Sequence, residues 1–111
     1  MGKYAFLMTG GPNRVGSVIN AIEYALSLDQ RGHEVRVYLD GAATKWPGEL
    51  KDRVDHPLHD RFFELLDHDL IIACAFCADA FGALESCQAA EIQLQGVPGE
   101  EHGPDVGRLV E

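Results

Sequence analysis

Apolar positions along the chain come in short runs separated by stretches of helical spacing. YAFLMT, residues 4–9, is an apolar run closed by Gly10, Gly11 and Pro12, which predicts a buried strand followed by a sharp turn. From Ser17, a plausible N-cap, the apolar positions Val18, Ile19, Ile22, Ala25 and Leu26 recur at helical spacing, and Gly32 sits where a C-terminal cap belongs. HEVRVYLDG then alternates Val35, Val37 and Leu39 with Glu34, Arg36 and Asp40, the pattern of a second strand ending at Gly41.

Residues 42–68 are less regular. Pro47 and Pro57 break them into a loop or short helix and a later helix through Phe62, Phe63, Leu65 and Leu66. LIIAC follows, a continuous apolar run of the kind found in parallel strands covered on both sides, with Cys74 at its carboxyl end. A helix is expected through ADAFGALESCQAAE, then a strand at EIQLQGV, then a Gly- and Pro-rich tail with a short helix at residues 105–110.

Strands alternating with helices predict one α/β domain over residues 1–111: a three-layer α/β/α sandwich with a mainly parallel sheet of four to five strands. In such folds the working crevice lies beyond the carboxyl ends of the strands, where both GGPNRVGS and Cys74 fall. The glycines Gly11 and Gly16 match the spacing of a phosphate-binding loop, but Ser17 stands where that loop carries its lysine. The turn therefore reads as a glycine-rich connection into a helix.

Charge narrows the partners. Nine basic residues against 18 acidic ones give a net charge of -9, so nucleic acid is not expected as a direct partner, nor an anionic membrane. MGKYAFLMTGG has one lysine and an apolar run too short for a signal peptide or a membrane span, and a cytoplasmic location is expected. Gly2 is not read as a myristoylation site, because Phe6 occupies the position that wants Ser or Thr.

Three cysteines in a chain of this kind do not suggest a disulfide framework. Cys74 and Cys77 are spaced C-x-x-C, which is half of a structural zinc site. Cys87, His68 and His102 are scattered and no second pair exists, so neither a metal nor a cofactor is expected. A dithiol pair at the start of a helix fits the spacing, although the flanking residues lack the Gly-Pro of thioredoxin. Buried filler is the remaining reading, since Cys is among the most buried residue types. His33, His56, His59 and His68 read as surface residues, and Cys87 as packing.

A first strand ending in T-G-G-P, a helix, then G-H-E-V-R-V-Y-L-D-G, then a strand closing on A-C-x-x-C-A with Gly82 eight residues after Cys74, resembles the DsrE/DsrF and TusD group of YchN-like proteins. The likeness covers residues 3–82 well and the rest loosely. It implies a small α/β protein, assembled as a homo- or hetero-oligomer (trimer or hexamer), that carries sulfane sulfur as a cysteine persulfide from a sulfur donor protein to an acceptor. The family's sulfur-carrying cysteine matches Cys74, and Cys77 matches a position that is cysteine in some members. The sequence departs from the family at Phe81, where an arginine often precedes the glycine, in a longer polar stretch over residues 46–57, and in ending at Glu111 where many members continue into another strand. Two other classes stay open: a small dithiol oxidoreductase using Cys74 and Cys77, and a non-catalytic oligomeric binding module with structural cysteines.

Overall fold

A computed structural model describes residues 2–103. Strand β1 (Lys3–Met8), helix α1 (Val15–Gln30) and strand β2 (Glu34–Leu39) form the first unit. A 3-10 turn (Gly41–Lys45), α2 (Trp46–Leu50) and α3 (His59–Asp67) lead to β3 (Ile71–Cys74). Helices α4 (Ala75–Ala80) and α5 (Leu84–Ala89) lead to β4 (Gln93–Val97), which a short β5 (Glu101–His102) follows.

The fold is α/β, as the alternating pattern requires: a five-stranded, mainly parallel sheet in the order β1-β2-β3-β4-β5 with helices packed on it. β1 to β4 are parallel, and β5 returns antiparallel to β4 through Gly96↔His102 and Val97↔Glu101. The register aligns Met8, Leu39, Ala73 and Leu94 across the sheet. Met8, Leu39 and Ala73 of that row and Val35, Val37 and Ile71 belong to one core cluster with Val18, Ile22, Ala25 and Leu26 of α1 and Phe62 and Leu65 of α3, and the half-buried Leu94 packs against it. Burying these side chains is the main source of stability, at roughly 25 cal/mol per Å² of apolar surface removed from water.

Three local expectations are corrected. Helix α1 starts at Val15 with Arg14 as its N-cap residue, and the Ser17 hydroxyl donates to the Arg14 carbonyl instead of capping the helix. The helix expected across residues 78–91 is two helices, broken where Gly82 adopts φ +70°. The Gly- and Pro-rich tail, in which only a short helix is expected, opens with β5, which pairs with β4 across a turn at residues 98–100 where Gly99 adopts φ +74°. The short helix expected at residues 105–110 lies outside the described residues.

Helix ends repeat one device. Ahead of β2, Gly32 is left-handed at φ 85°, its N–H donates to the Asp29 carbonyl, and the His33 N–H donates to Leu28. The same pair of bonds closes α3 through Asp69 and Leu70, α4 through Gly82 and Ala83, and α5 through Glu91 and Ile92. This Schellman closure satisfies the last carbonyls and turns the chain into the next element. At α3 and α5 the left-handed residue is not glycine but Asp69 at φ 59° and Glu91 at φ 58°.

Candidate functional site

The carboxyl ends of β2 and β3 lie side by side, because Leu39 pairs with Ala73. One step further along each strand stand Asp40 and Cys74, so the register alone brings a carboxylate next to the first cysteine. Cys74 ends β3 and is also the N-cap residue of α4, which begins at Ala75 without a loop. Cys77 therefore sits one helical turn above it, as the spacing predicts. The Cys77 N–H donates to Cys74 Sγ at 3.3 Å.

The two sulfurs have different partners. Cys74 Sγ accepts, whereas the Cys77 thiol donates to Asp40 Oδ1 over 3.0 Å. Burial, reinforced by the Asp40 carboxylate, pushes the Cys77 thiol up to about 12, so it stays protonated at neutral pH. His102 arrives from β5 and places Nδ1 3.6 Å from both sulfurs. Its ring lies against Phe76 of α4, with centroids 4.1 Å apart. One ligand-type atom each from Asp40, Cys74, Cys77 and His102 lies within 4.8 Å of the other three.

Cys74 is fully buried and Cys77 is 7% exposed, yet neither joins the hydrophobic core cluster, whereas Cys87 does. Cys87, on α5, donates to the Thr44 carbonyl at 3.4 Å and packs in the core against the segment after β2, as its expected packing role requires. The thiols of the C-x-x-C pair instead have polar partners, Asp40 for Cys77 and His102 for both. His102 itself is exposed.

Sequence reasoning found both cysteines but missed Asp40 and His102 as their partners. Asp40 was legible in principle: it closes β2 as Cys74 closes β3, and adjacent parallel strands share a carboxyl edge. His102 had no such signal, since it depends on an antiparallel hairpin of two ladder pairs within the Gly- and Pro-rich stretch. The scatter that argued against a second ligand pair holds in sequence and fails in space, because Asp40 and His102 stand 37 and 25 residues from Cys77. The other described histidines have partners away from the site: His33 accepts from the Gly2 N–H, His56 accepts from the Leu58 N–H, and His59 and His68 face Asp60 and Asp29.

The glycine-rich turn forms a shallow depression bordered by Thr9, Gly10, Gly11, Asn13, Arg14, Ser17 and Ala42. It is anchored from behind by the Trp46 indole N–H, which donates to the Gly10 carbonyl at 2.8 Å. A separate cleft is lined by Pro47, Lys51, His59, Phe63 and Glu85 among others, and none of the four residues of the thiol site borders it. Among the described residues no helix is long and apolar enough to cross a membrane.

Comparison with known proteins places little beside this chain. No family model matches it, and no solved structure matches it. It is similar to the uncharacterized protein MJ0733 of Methanocaldococcus jannaschii, at 29% identity over 68 residues that cover 61% of this chain. The matched stretch spans about half, 54%, of that protein's length.

Proposed function

We propose that this protein is a sulfur carrier that takes up sulfane sulfur as a persulfide on Cys74. The observation that carries the reading is the pair of buried sulfurs at the β3–α4 junction, one accepting and the other donating, with a carboxylate and an imidazole against them. The resemblance of residues 3–82 to the DsrE/DsrF and TusD group supports the same choice of cysteine.

In the first step the Cys74 thiolate attacks the outer sulfur of a donor persulfide. A Cys74 S–S bond forms, the donor S–S bond breaks, and the donor leaves as its thiolate. The backbone N–H of Cys77 supports negative charge on Cys74 Sγ while that thiolate exists. Delivery is the reverse exchange, onto the thiolate of an acceptor protein. Cys77 supplies a second exit: its sulfur attacks the inner sulfur of the Cys74 persulfide, a Cys74–Cys77 disulfide forms, and the outer sulfur leaves as hydrogen sulfide with the Cys77 proton passing by way of Asp40. The two thiols are oxidised and the sulfane sulfur is reduced, so an external dithiol must regenerate the pair. Donor access requires β5 to lift, and β5 is held to the sheet by only two ladder pairs.

In this reading the partners are a donor sulfurtransferase and an acceptor protein, and the working form is a homo- or hetero-oligomer, trimer or hexamer. A dithiol oxidoreductase would use the same two sulfurs without carrying sulfur. Intact-mass analysis after exposure of the reduced protein to a sulfane-sulfur donor separates these readings. A gain of one sulfur that disappears in Cys74→Ser supports the carrier. A loss of two hydrogens with no sulfur gained replaces it with the oxidoreductase, and no reaction at any thiol leaves the binding module.

A further inference from the structure

We infer that Asp40, Cys74, Cys77 and His102 together form a binding site for a divalent transition-metal ion of the zinc class. The donor set comprises two sulfurs, one imidazole nitrogen and one carboxylate oxygen, each within 4.8 Å of the rest. Thiolates select zinc-class ions over magnesium or calcium, which demand oxygen ligands, and four protein donors of this kind suit a closed tetrahedral site.

The two sulfur–nitrogen edges match that geometry. Metal–sulfur bonds of about 2.3 Å and metal–nitrogen bonds of about 2.0 Å at the tetrahedral angle place sulfur and nitrogen about 3.5 Å apart. His102 Nδ1 stands 3.6 Å from Cys74 Sγ and 3.6 Å from Cys77 Sγ, so both edges exist before any ion enters. The Asp40–Cys77 edge is 3.0 Å, the length of the hydrogen bond that now joins them. Once the thiol proton has gone, that edge lengthens by about 0.5 Å to the metal-bound value.

Binding balances without redox chemistry. Two metal–sulfur bonds form, both thiols release their protons to solvent, and the carboxylate and imidazole each donate a lone pair. The donors come from the end of β2, the β3–α4 junction and β5, so one ion ties three segments together. The imidazole is itself exposed, and the ring's packing on Phe76 restricts its orientation. The site is argued from these distances alone and does not depend on the sulfur-carrier reading.

Titration of the reduced, full-length protein with Co²⁺ under anaerobic conditions tests the site, with Zn²⁺ added back. One Co²⁺ per chain is expected, with a thiolate-to-cobalt charge-transfer band and the visible bands of a tetrahedral centre, all displaced by one equivalent of Zn²⁺. His102→Ala and Asp40→Ala, at positions outside the core cluster, should each weaken Zn²⁺ binding by at least about tenfold in competition with a chromophoric chelator. Cys74→Ser with Cys77→Ser should remove the charge-transfer band, with circular dichroism confirming the fold. Absence of that band in the unsubstituted protein overturns the site. So does Zn²⁺ affinity unchanged by His102→Ala and by Asp40→Ala, which leaves the cysteine pair alone. Because no sulfur donor is present, this outcome is independent of persulfide formation, which is read by mass on metal-free protein.

Discussion

The Cys77 thiol donates a 3.0 Å hydrogen bond to Asp40 Oδ1, although 37 residues separate them in the chain. This contact divides the labour of the C-x-x-C pair. It keeps a proton on Cys77, whereas the Cys74 sulfur accepts from the Cys77 N–H.

Removing the carboxylate should release part of the hold on Cys77. Burial is the larger cause of its raised pKa and Asp40 the second, so Asp40→Asn lowers the value without restoring that of a free thiol. One pKa unit is tenfold in thiolate, and alkylation of Cys77 at pH 8 in a Cys74→Ser background should rise by several-fold up to about tenfold. An unchanged rate, followed by mass, would show that burial alone controls this thiol.

The hairpin that carries His102 can be disturbed from a position that is not itself one of the four site residues. A Cβ on Gly96 would meet the Glu101 carbonyl oxygen at 2.6 Å, and its φ of +95° disfavours any side chain. Gly96→Ala is expected to detach β5 and to raise the alkylation rates of Cys74 and Cys77 by at least about tenfold, with little loss of global stability, since local opening costs far less than unfolding. Equal protection of both thiols in this variant would mean that β5 does not control access.

Cys87 offers a pH test that is separate from the site. Burial pushes its thiol up to about 11. Above about pH 8.5 the unfolded chain loses this proton while the folded chain keeps it, so unfolding becomes easier as pH rises through the window up to the folded value. Cys87→Ala should show a shallower fall in Tm between pH 8.5 and pH 11 than the unsubstituted protein, at a cost of about 1 kcal/mol at neutral pH for the lost packing. Parallel Tm curves would rule out this contribution, while persulfide uptake on Cys74 should be unaffected.

The helix closures allow a stabilising change and a destabilising one. Glu91 is left-handed and exposed, so Glu91→Gly should relieve strain and raise stability by about 0.5–1 kcal/mol. A Cβ on Gly82 meets nothing within 4 Å, so Gly82→Ala should cost about 1 kcal/mol from backbone strain at φ +70° alone. Chemical denaturation of both variants checks the pair, and opposite signs are expected.

The order of β1 to β4 and the helices between them, Cys74 at the end of β3 and the packing role of Cys87 all follow from the sequence. They rest on short-range physics: apolar runs, helical spacing, and Gly or Pro at the breaks. Short-range physics also explains the misplaced boundaries, since whether Gly82 interrupts a helix depends on whether the chain must turn there, and that is set by where α5 packs. The partners of the cysteines were decided by tertiary structure. Asp40 reaches Cys77 because β2 and β3 pair in one particular register, and a one-residue slip would turn it to the other face. His102 reaches both sulfurs only because β5 folds back on β4, a long-range pairing that no local pattern in EEHG announces.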